Sequence, residues 1–330
     1  MKKSIWISMI IAGGLILAGL ACIATGLALG GYDTLVEDSP YDGHTVGGVH
    51  HISKDFDRIR IDVIAASVEL VPSEDDKCRV TTRDSDYVEY TAYVLEDTLM
   101  IRATDTRKWY ERLFTPSVSG RSVKVALPRE AYKSLTVETV SGNVSINVRY
   151  TFSEDVTLTS TSGTIGTAAA IGGHLDMRST SGDLYAMGFL NTVTARSTSG
   201  KVTLGGKTVL GDCTATTADL ETTSGEIILL YTTCGTLTAE TGSGGIDLTD
   251  TTVTGHIQAE TTSGSIRFAR ADAATLDLKT TSGSVKGSLL TPKIFYTDTT
   301  SGSVDVPKST VGGICEIKTT SGDIRITVGE

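Results

Sequence analysis

The chain has 330 residues, with 29 Lys and Arg against 39 Asp and Glu and a formal net charge of −10. That length is ample for a buried core, and the acidic balance argues against nucleic acid or anionic lipid headgroups as the main partner. Cysteine usage is sparse, at five residues.

The N-terminus is a different material from the rest. Lys2 and Lys3 precede an uncharged stretch, residues 5–29, that is long enough to cross a bilayer as a helix, and Asp33, Glu37 and Asp38 follow it. The positive-inside rule then places the N-terminus in the cytoplasm and the remainder outside the cell. A cleaved signal peptide would have a shorter apolar core and a small-x-small exit. A lipoprotein would carry an apolar residue three before its cysteine, where Cys22 has Gly19. Residues 1–30 therefore read as an uncleaved single-pass anchor. Gly14, Ala18, Cys22, Gly26 and Gly30 recur every four positions, a spacing suited to self-association through the anchor and equally to the general glycine content of membrane helices. Residues 31–51 read as a polar stalk. His44, His50 and His51 have no Cys or acidic partner at ligand spacing, so they are expected as exposed linker histidines.

Residues 52–134 read as an N-terminal β-cap region. Ile59, Ile61 and Val63 alternate, Ala65-Ala66 makes a bend, and Val68 and Leu70 follow, as in a degenerate first coil. Tyr90, Ala92 and Val94, then Glu96-Asp97, then Leu99 and Ile101, fit a second coil or a hairpin. Residues 106–119 break the pattern. There Trp109, Tyr110, Arg112 and Phe114 belong to a basic-aromatic cluster that either caps the core or contacts a partner.

From residue 135 to 330 one phrase returns ten times: Thr or Ser, a variable residue, Ser-Gly, then a β-former two residues on. Its glycines are Gly142, Gly163, Gly182, Gly200, Gly225, Gly244, Gly264, Gly283, Gly302 and Gly322, at steps of 18 to 25 residues. Mostly apolar residues stand seven and five before the glycines and two and four after them (Ile257, Ala259, Ile266 and Phe268 around Gly264), which gives two strands per repeat. Ser-Gly at hairpin tips would make an antiparallel meander. A bend between two faces of one coil would make a parallel β-solenoid, a β-helix of about ten coils, in which like residues stack over like. The near-identity of the phrases favours the solenoid, with glycine supplying a backbone shape that other residues resist. The Thr or Ser three before each glycine shares the parity of the core, so it is expected inside, its hydroxyl bonding to its neighbours along the stack, rather than on a flat ice-binding face.

The anchor, the opening FDRIRID…SVEL, the strand VKVALP and the repeated TTSGSI or TTSGDI coils together resemble the bacterial putative-adhesin family of β-strand-repeat proteins, a domain of unknown function. The resemblance spans about residues 52–330. It implies an envelope protein, in a family partly linked to cell-envelope stress, and it brings no catalytic residues with it.

No phosphate loop, HExxH or strand–helix GxSxG is present. Polysaccharide-cleaving β-helices need clustered carboxylates beside a groove, and these coils are too short to spare long loops for one. The one long insertion lies between Gly200 and Gly225. The reading is a non-catalytic, cofactor-free binding, adhesion or envelope-stress-sensing module, with a wall polymer or an envelope protein as partner. The alternative is a carbohydrate-active enzyme or wall-polysaccharide binder. Glu221, Glu240 and Glu260 fall four before the glycine on successive coils, with Asp219 on the same face, as a candidate ladder for a hard cation such as calcium or a solvated column flanked by Arg196 and Lys279. Cys213 and Cys234 lie in neighbouring coils at offsets differing by two residues, so free, partly buried thiols are expected over a bridge. Ile324, Ile326 and Val328 end the chain without a polar capping unit, so strand 324–328 is expected to be an unpaired edge open to self-association.

Overall fold

The alternating residues on either side of each Ser-Gly do form strands, and their inward side chains are buried. Leu135, Val137, Val156 and Leu158 have no exposed surface. In this computed structural model, which describes residues 47–83, 88–106, 121–147, 150–207 and 211–329, the strands before the glycines pair parallel and in register. Leu135 lies beside Val156, then Leu175, Val193, Ala218, Leu237, Ile257 and Leu276. The strands after the glycines do the same, from Val144 through Ile165 and Leu184 to Val285. This is the parallel β-solenoid, and the meander is excluded. The described residues hold 26 strands and no helix, and none of their elements is a helix long and apolar enough to cross a membrane. Residues 1–30, most of the stalk, and Trp109, Tyr110, Arg112 and Phe114 lie outside the described residues.

A third strand segment closes each coil. In its interior column Tyr132, Phe152, Ile171, Leu190, Ala215, Cys234, Val253 and Ala273 stack in that order. At one end this column is aromatic. Phe56 stacks on Tyr132 with centroids 5.7 Å apart, and Tyr150 and Phe152 pack beside it at 6.5 and 6.4 Å. In three central coils the second bend is turned by non-glycine residues with left-handed backbone, Tyr231, Asp250 and Arg270, so single strands run through it from Ile227–Thr241, Ile246–Thr261 and Ile266–Thr280.

The Ser-Gly bends need glycine for a different reason from the one the sequence suggests. None of the ten repeat glycines has a positive φ. Instead the bends stack so tightly that a Cβ on Gly264 would lie 1.7 Å from the carbonyl oxygen of Gly244, and one on Gly283 1.7 Å from that of Gly264. The column of Thr and Ser three residues earlier is buried as expected, but its hydroxyls bond backbone rather than one another. Thr261 accepts the N–H of Gly264 at 3.0 Å and donates to the carbonyl of Gly244, one coil back, at 2.9 Å. Thr222, Thr241 and Thr280 repeat both bonds. Each hydroxyl thus tightens its own bend and ties it to the next. Thr261→Val, which keeps the shape and removes both bonds, is expected to cost about 1–3 kcal/mol in denaturant unfolding, because two buried backbone groups lose their partner. Thr261→Ser should cost less than half of that. Equal losses for the two variants would show that the hydroxyl matters no more than the methyl.

The two ends depart from sequence order. At the N-terminal end, strand Arg58–Asp62 lies between Thr98–Asp105 and Ser134–Thr139, so the first coil in sequence is the second in space. The segment around Glu96 is a hairpin, Val88–Leu95 running antiparallel to Thr98–Asp105 with Glu96 left-handed. Residues 47–51, read as the end of a stalk, belong to strand Gly47–Ile52, antiparallel to Cys78–Arg83, which in turn pairs with Ser122–Leu127. His50 and His51 are therefore strand residues, because the chain alternates into the sheet before the first recognisable coil.

At the C-terminal end the reversal corrects an expectation. Strand Ile324–Val328 is not an edge. It pairs with Val285–Leu289 on one side and with Val304–Asp305 on the other. Strand Gly313–Thr319 likewise lies between Ile266–Thr280 and Lys293–Thr299. The last coil in sequence has slipped in beneath its predecessor. The inward residues explain it: Cys315, Ile317, Ile324 and Ile326 are buried to within 2%. The coil left outside offers Thr297 where the inner one offers Ile317, and its Val304 stays 45% exposed. Enclosing the more aliphatic coil removes more apolar surface from water. Gly312 and Gly313 let the chain thread in, since their Cβ atoms would lie 1.9 Å from the Pro292 carbonyl oxygen and 1.7 Å from that of Ala274.

Candidate functional site

Because the coils are in register, the outward residues form columns, and the columns carry the charge. Four residues before the glycine, Glu221, Glu240 and Glu260 do stand side by side on adjacent strands. Arg196 precedes them, and Lys279 and Lys318 follow. Arg196 grips the start of the acidic run, with its guanidinium 3.0 Å from Glu221 and 2.6 Å from Asp219. Lys279 turns to Asp277 on its own strand at 2.7 Å rather than to Glu260, and that hydrogen bond raises its pKa. Among the described residues no group of three or more His, Cys, Asp or Glu side chains is disposed to hold a metal ion. Lining up along a strand stack spaces the three glutamates by strand separation, without folding them round a common centre.

A second column escaped the sequence reading. Three residues after the glycine, Asp247, Arg267, Lys286, Arg325 and Asp305 stand on consecutive strands in space. Reading the repeat at that offset displays all five residues, but only the reversed end places Arg325 beside Lys286. The ion pairs are loose at one end, with Arg267 to Asp247 at 3.2 Å, Lys286 to Asp323 at 3.5 Å and Arg325 to Asp305 at 3.7 Å. This column borders an open cleft of about 390 Å³ lined by Thr249, Phe268, Ala269 and Gly287. Gly287 is required there, since its backbone is left-handed and a Cβ on it would lie 2.0 Å from the Phe268 carbonyl oxygen.

On the third face a shallower groove of about 370 Å³ is lined by Ser153, Gly172, Phe189, Asn191, Thr214 and Thr216, among others. Phe189 is 47% exposed beside it. The Asn191 amide donates to the Gly172 carbonyl at 3.1 Å. At the neighbouring bend Arg270 makes a two-pronged contact to Asp250 at 2.7 and 2.6 Å, which holds that carboxyl below its ordinary pKa. A carboxyl lowered in the folded state stabilises at neutral pH, and that contribution is lost as the pH falls through the folded value. Asp57, Asp75 and Asp323 are lowered too, by hydrogen bonds from Lys133, Ser73 and Ser303 respectively. A general acid needs the opposite shift.

The four cysteines among the described residues are not exposed chemistry. Cys78, Cys213, Cys234 and Cys315 are free and buried. Burial pushes the thiols of Cys78, Cys213 and Cys315 up to about 12 and that of Cys234 to about 11. Cys234 stands beside Ala215 while Cys213 stands beside Thr232, so the two-residue offset keeps them from bridging, and both are more fully buried than expected.

The repeat, its stacked bends and its reversed ends sit within residues 56–327, which match the family model Toastrack DUF4097. The chain belongs to this family. Its Toastrack region includes the FDRIRID opening and all ten Ser-Gly coils. No curated protein matches the chain. Among solved structures, a putative lipid binding protein from Parabacteroides distasonis is 17% identical, covers 84% of this chain and 98% of its own, and has a TM-score of 0.45. A putative adhesin from Bacteroides fragilis is 15% identical over 86% of this chain and 96% of its own, with a TM-score of 0.41. A putative adhesin from Parabacteroides merdae is 14% identical over 86% and 98%, with a TM-score of 0.38.

Proposed function

We propose that this Toastrack protein is a non-catalytic binding module of the cell envelope, anchored by residues 5–29 with its solenoid outside the cell, and that it holds an extended anionic wall polymer along the Arg267–Lys286–Arg325 column. The carrying observation is that column: three cations on adjacent strands, two of them in ion pairs as long as 3.5 and 3.7 Å, beside an open cleft. Strand spacing of about 4.8 Å sets them as a linear track, which suits a repeating anionic chain better than a compact ligand. Only Asp247 among the lining residues of the cleft brings a carboxylate, which supports binding over glycoside cleavage. The test is retention of the full-length chain on immobilised anionic wall polymer at rising salt. Lys286→Glu with Arg325→Glu is expected to lower retention at least tenfold at low salt and to flatten the salt dependence. Unchanged retention removes the column from the site.

A second reading, binding of a neutral wall polysaccharide, is supported by the third-face groove. A half-exposed Phe189 ring beside the hydroxyls of Thr214, Thr216 and Ser153 offers an apolar face with polar edges. Retention on neutral glycan that Phe189→Ala abolishes and the charge reversal leaves intact would select it.

A further inference from the structure

The reversal at the C-terminal end decides which strand is left open. Among the described residues Lys293–Thr299 has a strand partner on one side only, Gly313–Thr319. The other side carries backbone N–H and C=O groups without a ladder, and such an edge pairs with another chain unless it is protected. One usual protection is present, an inward-pointing charge, but no lysine stands out from the edge to block pairing. Lys293, the one lysine of the strand, has its ammonium turned inward to Asp272 at 2.6 Å with its side chain 4% exposed. The strand contains no proline.

The surface around this edge is apolar. Tyr296 is 60% exposed, Ile314 49% and Val304 45%, and Phe295 and Val306 pack only partly against the core. It is also nearly neutral in a chain of net charge −10. Residues 290–330 carry four Lys and Arg and five Asp and Glu, so a copy of this end is repelled little by its own kind.

We propose that Lys293–Thr299 is the seam of a symmetric dimer, pairing antiparallel with the same strand of a second copy of this chain. The strand is self-complementary about Tyr296. In that register Tyr296 meets Tyr296 of the second copy, Phe295 meets Thr297, Ile294 meets Asp298 and Lys293 meets Thr299, so no charge faces its like. The register also keeps odd residues against odd ones, which continues the apolar interior of one stack into the other. Gly47, where the described chain begins, pairs into the sheet at the opposite end of the stack, so the dimer carries its two Gly47 residues at its two far ends. The pairing is independent of the ligand reading above.

Directly opposed residues in an antiparallel pair have Cα atoms about 4.5–5.5 Å apart, within disulfide reach. Full-length Tyr296→Cys in detergent, mildly oxidised, is therefore expected to give a covalent dimer that the parent chain and Val49→Cys, at the opposite end, do not give. In sedimentation the parent should be dimeric and Tyr296→Lys should dissociate at least tenfold more readily, since two ammonium groups would meet on the axis. Tyr296 is exposed, and an unchanged circular dichroism spectrum checks that neither substitution disturbs the fold. A parent that stays monomeric, a Tyr296→Cys chain that cross-links no more than the parent, or a dimer that Tyr296→Lys leaves as tight as before would each overturn the proposal. The last of these would assign the association to another surface, such as the anchor.

Discussion

Gly264→Ala is expected to be almost as damaging as Gly264→Val, with each lowering stability by about 4 kcal/mol or more and the melting temperature on the order of 10 °C. The reason is where the Cβ would go. It would lie 1.7 Å from the carbonyl oxygen of Gly244, and that oxygen is backbone, fixed by the coil beneath and by the Thr261 hydroxyl that donates to it. A bend that needed glycine for its φ would behave otherwise. Alanine would then cost about 1 kcal/mol, and asparagine, which tolerates left-handed backbone, would be mild. Parallel thermal melts of Gly264→Ala, Gly264→Asn and Gly264→Val separate the cases. Three similar large losses fit close stacking, and a graded series with asparagine mildest would sink it.

The second large effect is expected at the buried ion pair between Lys293 and Asp272. The two residues belong to strands separated by Gly313–Thr319, so the pair, itself buried, clasps the inserted C-terminal coil. Side-chain exposures of 4% and 11% mean that neither charge has water to fall back on. Lys293→Met and Asp272→Asn should each cost about 3–5 kcal/mol, because removing one partner strands the other. Replacing both, with Lys293→Met and Asp272→Leu, should recover much of the loss, since the penalty is an unpaired charge rather than a lost attraction. Amide exchange in residues 293–299 should quicken in the single variants while the central coils stay protected, as neighbour-only contacts in a repeat stack allow. Single losses below about 1 kcal/mol would show that the charges are solvated and that the clasp holds nothing.

What the sequence determined by itself was the repeating unit. Ten Ser-Gly phrases with apolar residues at fixed offsets specify two strands and a bend each, and their near-identity specifies stacking like over like, because parallel register brings the same offset together in every coil. That was enough for the solenoid, the family, the buried Thr and Ser column, the aligned glutamates at 221, 240 and 260, and the failure of Cys213 and Cys234 to bridge. The reason for the glycines was not legible, since a glycine required by a neighbouring carbonyl and one required by a positive φ are the same letter. Nor was the order of the ends. Local alternation in 293–306 and 313–328 is equally good for either order. The choice was made by comparing whole coils, in which four aliphatic or sulfur side chains inside outweighed Phe295, Thr297, Val304 and Val306, and by a glycine pair narrow enough to thread. That contest between non-local burials moved the open edge from 324–328 to 293–299 and set Arg325 beside Lys286. The tertiary structure therefore decided both surfaces, because the reversed stacking leaves strand 293–299 open and sets Arg325 beside Lys286.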